Sequence, residues 1–230
     1  ETTPTYSIRI KAVDSNNLST EKQLVLSINN LNEAPTEIKL SSSSIDENVA
    51  ANSIFGTIAS TDPDASDSHT YSLVSGNGDT DNDLFTISGA SLVIKNSPDY
   101  EEKSTYNIRL QSEDDGGKTY AETFSLSINN LNEAPTEIKL SSSSIVENIT
   151  ANATVATLST SDEDATDSHS YTLVSGSGDT DNSSFLISGN SIKIQTSPDY
   201  ETKSIYSIRV RTIDSGGKTL EQAFNFLVSD

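Results

Sequence analysis

The 230-residue chain contains no cysteine, which excludes disulfide cross-links and thiolate-bound zinc. Basic residues are scarce. There are 14 of them against 34 acidic ones, and the net charge of −20 argues against nucleic acid or an anionic membrane surface as a partner. Tryptophan is absent, so a sugar-binding surface would have to draw its aromatic platform mainly from tyrosine. No stretch resembles a signal peptide, a membrane span or a lipidation site, and direct membrane insertion is not expected. Nor does any window carry the apolar stripe of a helix. A small domain that disulfides cannot staple is a candidate for stabilisation by metal.

Against these absences stands a verbatim repeat. Residues 29–45, NNLNEAPTEIKLSSSSI, recur letter for letter at 129–145. Pro35 and Pro135 stand 100 residues apart, and Tyr6, Tyr106 and Tyr206 keep the same interval. The expected organisation is therefore a C-terminal part of a preceding repeat over 1–34, a full repeat over 35–134 and a second over 135–230. Glu1 aligns with Glu101 and Glu201, the last residues of SPDYE. Two strands alone are marginal in water, so residues 1–34 are expected to belong to a longer protein.

Within residues 35–134 every apolar cluster alternates with period two. Ile38 with Leu40 comes first, then Ile54 with Ile58, Tyr71 with Leu73, Phe85 with Ile87, Leu92 with Ile94, Tyr106 with Leu110, and Phe124 with Ile128. Runs such as SGNGDTDN and DDGG separate them. Seven short strands in about 100 residues predict an all-β chain of tandem immunoglobulin-like, seven-strand Greek-key β-sandwiches in an elongated array.

Strand parity then sorts the loops by pole. In an odd-stranded up-and-down chain the loops holding Glu47, Asp79 and Asp99 fall at the C-terminal pole, from which the linker leaves. Those holding Asp62, Asp64 and Asp114 fall at the opposite pole. Acidic loops of one repeat are thus expected to face those of the next. The central boundary would collect Glu47, Asp99, Glu101, Asn132, Glu133, Asp162, Asp164 and Asp214. Carboxylates so placed repel, by about 1 kcal/mol per pair 4 Å apart in water and about 4 at an effective dielectric near 20. Many oxygen donors without thiolate or imidazole suit calcium.

These residues stand in a known order. Glu47-Asn48, Asp62-Pro63-Asp64, Asp99-Tyr100-Glu101, Asp114 before a glycine turn, and an Asn-Glu linker ending in proline together resemble cadherin repeats. The NEAP-type linker is similar to that of bacterial cadherin-like repeats in large surface adhesins. The resemblance covers the whole chain and implies calcium ions between successive sandwiches, stiffening them into a rod. It implies Glu47, Asp99 and Glu101 as ligands from one repeat, and Asp162, Asp164 and Asp214 from the next. In the linker the family reads Asp-x-Asn-Asp-Asn, where residues 130–134 read Asn-Leu-Asn-Glu-Ala. Asn132 is kept, Glu133 is a longer carboxylate, and Asn130 lowers the anionic count. Asp230 restores the carboxylate at the corresponding place after the last strand. The first boundary has Asn30, Asn32, Glu33, Asp62, Asp64 and Asp114, with only Glu1 upstream. The last has Glu147, Asp199, Glu201 and Asp230. Only the central boundary is complete, and one dominant class of calcium sites is expected there.

Blander readings compete with each feature. An isolated Asp-x-Asp is usually a solvated turn, although five motifs converging on one boundary reverse that preference. The GDTDN loops at 78–82 and 178–182 are read as turns. His69 and His169, one per repeat, cannot form a zinc site or a catalytic pair and are read as structural. Seven of eight tyrosines recur in register, which favours packing, and Tyr120 alone does not. No nucleophile elbow, phosphate loop or metalloprotease motif occurs, and an enzyme is not expected.

The sequence thus reads as a calcium-rigidified segment of a large extracellular adhesin at a bacterial cell surface. Its partners would be calcium ions, neighbouring repeats of the same chain, and polysaccharide or another cell-surface protein. The alternative is a calcium-dependent carbohydrate-binding module of a secreted protein.

Overall fold

The computed structural model describes residues 5–230. It divides into two compact units, the first ending at Asn130 and the second running from Leu131 to Asp230. Glu1, the one upstream candidate of the first boundary, lies outside the described residues. Among them no helix is long and apolar enough to cross a membrane.

The first unit begins with an antiparallel hairpin of β1 (Thr5–Val13) and β2 (Ser19–Ser27), paired from Thr5 opposite Ser27 to Val13 opposite Ser19. Its turn is set by Asp14, whose Oδ1 accepts the backbone N–H groups of Asn16 and Leu18, while Asn17 takes the left-handed conformation. A sandwich follows. Its strands are β3 (Glu37–Leu40), β4 (Ser44–Asp46), β5 (Ile54–Thr61), β6 (His69–Leu73), β7 (Phe85–Ser88), β8 (Ser91–Ile94), β9 (Thr105–Asp114) and β10 (Thr119–Asn129). One sheet has the order β3-β5-β8-β7 and the other β4-β10-β9-β6.

An eighth strand joins the seven expected. Ile45 and Asp46 lie in β4, which leaves the sheet of β3 and pairs parallel with β10. Serine hydroxyls make the crossing. Ser41 Oγ accepts the Thr57 N–H, and Ser42 Oγ accepts from the Ser44 N–H while donating to the Ser44 carbonyl. These bonds stand in for the interrupted ladder. Because β4 runs with β10, Glu47 emerges where β10 finishes, and its N–H donates to the Asn129 carbonyl.

The second unit repeats this plan. Strands β11 (Glu137–Leu140), β12 (Ser144–Val146), β13 (Thr154–Ser161), β14 (Ser170–Leu173), β15 (Phe185–Ser188), β16 (Ser191–Ile194), β17 (Ile205–Ile213) and β18 (Thr219–Ser229) form sheets ordered β11-β13-β16-β15 and β12-β18-β17-β14. Again β12 is parallel to β18.

Alternation decides which residues are inside. In β9 and β10, Ile108, Leu110 and Leu126 are 0% exposed because the facing sheet covers them. The same pattern in the hairpin leaves Ile8 and Leu26 exposed. The two cores are packed with different residues in corresponding places. The first has Phe55 edge-on to Phe85, with Leu126 nearby in the cluster. The second has Val155 where Phe55 would be and Phe226 where Leu126 would be, and Phe226 stacks on Phe185 at 5.5 Å. One phenylalanine has moved across the core with total volume nearly kept.

Candidate metal centre

The β5–β6 loop of the first unit is folded around Asp64. Asp62 Oδ1 accepts the Asp64 N–H at 2.8 Å, an Asx turn, and the Asp67 N–H donates to the Asp64 carbonyl at 2.9 Å. Asp64 is buried and faces the linker. Its Oδ1 accepts from Asn30 Nδ2 at 2.5 Å and its Oδ2 from the Glu33 N–H at 2.7 Å. Asp114 ends β9, with Oδ1 accepting the Lys118 N–H at 2.8 Å and Oδ2 accepting from Asn32 Nδ2 at 3.0 Å. Carboxylate oxygens of Asp62, Asp67 and Asp114 lie within 4.8 Å of one another.

Electrostatics separate these carboxylates. The hydrogen bond from Asn30, then that from the Glu33 backbone, holds Asp64 below its ordinary range. Burial, then the negative charges of Asp64, Asp62, Asp115 and Asp114, pushes Asp67 up.

The second unit builds the same centre. Asp164 Oδ2 accepts the Glu133 N–H at 2.7 Å, and Asp214 takes the Lys218 N–H at 2.8 Å and Asn132 Nδ2 at 3.2 Å. Burial raises Asp214, but the bonds from Asn132 and from the backbone of Lys218, Gly217 and Gly216 outweigh it and leave the carboxyl below its usual range. Oxygens of Asp162, Asp167 and Asp214 again lie within 4.8 Å of one another.

Two adjacent glycines make this approach of the linker possible, for different reasons. Gly117 and Gly217 have φ of +81° and +91°, which the turn requires. At Gly116 and Gly216 the reason is space, because a β-carbon there would stand 2.4 and 1.9 Å from the side chains of Asn32 and Asn132.

At the other pole Glu47 is buried, and its Oε2 accepts the Tyr100 N–H at 2.8 Å. Asp99 Oδ1 accepts the Glu102 N–H, and Glu101 Oε1 accepts from Asn130 Nδ2 at 3.1 Å. In the second unit Glu147 takes the Tyr200 N–H at 3.0 Å, and oxygens of Glu147, Asp199 and Glu201 lie within 4.8 Å of one another. Asp199 is held low by Thr202, the Thr202 hydroxyl first. Asp230 is exposed after β18.

Among the linker asparagines, Asn30 binds Asp64 and Asn130 binds Glu101.

No protein-family model matches the chain. It is similar to human protocadherin Fat 4, at 28% identity over 188 residues that cover 76% of this chain and 4% of that protein. Among solved structures it is similar to extracellular cadherin domains 1–5 of protocadherin gamma B2, with a TM-score of 0.67 and 18% identity over 100% of this chain and 46% of that one. The protocadherin gamma B4 extracellular domain gives 0.67 and 22% over 99% of this chain and 37% of that one. The fold is that of cadherin ectodomain repeats. This chain spans less than half the length of each of these relatives.

Calcium fits the donor set found on this cadherin fold. The oxygen donors gathered at both poles are carboxylates, with linker carboxamides bonded to them. Two buried carboxylate oxygens, Asp67 Oδ2 and Asp167 Oδ2, have no hydrogen-bond partner, which is the condition a cation relieves. The histidines stand beside this centre. His69 and His169 place Nε2 at 3.0 and 2.9 Å from Oδ2 of Asp62 and Asp162, so their structural role is to hold these carboxylates. No motif of the sequence marks Asp67 or Asp167, and Gly116 reads there only as part of the glycine turn after Asp114.

The GDTDN loops are occupied otherwise. Asp79 Oδ2 accepts the Gly76 N–H at 2.9 Å. Buried Asp81 pairs through Oδ1 with Lys103 and through Oδ2 accepts the Asn107 N–H at 2.8 Å. Asp181 pairs with Lys203 in the same way, and both lysines lie 5.1 Å from a tyrosine ring centroid. An ammonium ion already sits where a metal would have to bind.

Proposed function

We propose that this chain is a segment of a large extracellular adhesin at a bacterial cell surface, whose repeat boundaries bind calcium and thereby set the stiffness and reach of a rod. One observation carries the reading. Each unit gathers linker asparagine and paired Asp carboxylates around oxygens that lack donors, and does so at equivalent positions 100 residues apart. The residues that would hold ions are Asn32, Asp62, Asp64 and Asp114 in one unit and Asn132, Asp162, Asp164 and Asp214 in the other. Glu47, Asp99 and Glu101, and Glu147, Asp199 and Glu201, serve at the opposite poles. A bound ion supplies charge neutralisation and ties loop to linker. Extracellular modules bind at about 10⁻⁴ to 10⁻³ M, enough to be filled where calcium is millimolar.

The fold supports this reading, because the solved structures similar to this chain are extracellular domains of protocadherins. Repeats of the same chain are the first partners proposed, with polysaccharide or another surface protein beyond them.

Calorimetric calcium titration tests the ion binding. Binding in the parent that weakens in Glu101→Ala supports the assignment, and no binding in the parent contradicts it.

The carbohydrate-binding reading has exposed Tyr100 and Tyr200 in its favour, while unrepeated Tyr120 packs against the core. Retention of the chain on a polysaccharide in calcium, lost in chelator, would favour that module. No retention in either condition favours the spacer.

A further inference from the structure

Given the calcium reading proposed above, we infer that Asp67 and Asp167, which no motif of the sequence marks, each place Oδ2 directly on the ion of its own unit. The other carboxylates of the first centre are held through both oxygens. Asp62 is held by the Asp64 N–H and His69, Asp114 by the Lys118 N–H and Asn32, and Asp64 by Asn30 and the Glu33 N–H. Asp67 Oδ2 is buried and receives no hydrogen bond. In the second unit Asp167 Oδ1 accepts the Ser215 hydroxyl at 2.6 Å, yet its Oδ2 is equally buried and equally without a donor.

The surroundings of the two loops differ, since Pro63 and Ser66 in one are Glu163 and Thr166 in the other. The orphaned oxygen survives that difference. A buried anionic oxygen without a donor is costly, and here its neighbours are other anions. A carboxylate oxygen of Asp67 lies within 4.8 Å of carboxylate oxygens of Asp62 and Asp114. Oxygens bound to one calcium at about 2.3–2.6 Å stand up to about 5 Å apart across the ion, so the spacing suits a shared cation. A cation would satisfy the orphan and remove the repulsion together.

The test uses the full chain carrying Asp67→Asn and Asp167→Asn. Each asparagine keeps the shape and removes the charge. Three readouts are taken: calcium affinity by calorimetry, melting temperature in chelator and in calcium, and the number of waters on bound terbium from its luminescence lifetime. The expected result is calcium affinity about tenfold weaker, by analogy with the loss of a group that supports a metal. Melting is expected to be unchanged or higher in chelator and lower in calcium, with about one more water on each bound terbium. Equal affinity and equal hydration in the variant would overturn the ligand role while leaving calcium binding intact. Absence of binding in the parent chain would overturn the calcium reading itself. A variant that melts lower in chelator shows Asp67 and Asp167 to be structural, and that outcome also overturns the inference.

Discussion

Asn132 occupies the space that a β-carbon on Gly216 would need: such an atom would stand 1.9 Å from the Asn132 Oδ1 and 2.2 Å from its Cγ. The glycine after Asp214 is therefore a seat for the linker, and its neighbour Gly217 is the residue that turns the chain.

Gly216→Ala is predicted to push Asn132 off Asp214 and weaken calcium binding in the second unit by roughly tenfold, as loss of a supporting group does. Gly217→Ala strains the left-handed turn by about 1–2 kcal/mol without crowding Asn132. Calorimetry and denaturant unfolding of both variants separate the effects. Equal loss of affinity in the two would refute the division of roles.

The exchange of phenylalanines between the cores predicts strong coupling. Phe226→Leu removes the ring stacked on Phe185 and should cost about 1–2 kcal/mol, and Val155→Phe alone should overpack the site by about 1–3 kcal/mol. The double substitution reproduces the first unit's arrangement of Phe55 and Leu126 and should restore most of the loss. Unfolding free energies of the three variants check this, and simple additivity would contradict it.

Much of this architecture was legible because it is periodic. Alternation marked the faces of β5 to β10, and the offset of 100 residues marked the equivalent loops. The short strand β4 was not legible. Its three residues, Ser44–Asp46, sit beside a run of serines, and its pairing with β10 spans more than 80 residues of sequence. The acidic motifs of the site were visible as an ordered set. Asp67 was not, because an aspartate in a serine-rich loop has the composition of any turn, and only its buried, donorless oxygen distinguishes it. Gly116 likewise reads as a turn residue until Asn32 is found against it.

The GDTDN loop should respond to loss of its lysine and ignore calcium. Lys103→Met leaves buried Asp81 without its ammonium partner and is predicted to cost about 1–3 kcal/mol of stability. Calcium affinity should be unchanged. A drop in affinity in this variant would make the loop part of an ion site.

Acid sensitivity is predicted at one point of the second unit. Glu221 accepts from Arg211 at 2.7 and 2.8 Å and from Arg209 at 3.1 Å, and these bonds, Arg211 first, hold its carboxyl below the ordinary value. The stabilisation is therefore fully present above the unfolded value of about 4.3 and is lost as pH falls through the lower folded value. Glu221→Gln should flatten that part of the pH dependence of melting. The first unit has Ala121 and Gln111 at the corresponding positions and serves as the internal reference. An unchanged acid profile in Glu221→Gln would contradict the assignment.

Small-angle X-ray scattering of this chain in millimolar calcium and in chelator tests the central claim most directly. The account predicts a longer, narrowly distributed maximum dimension in calcium and a shorter, broader one in chelator, with strand content retained by circular dichroism. Equal extension in both conditions would contradict a calcium-stiffened rod.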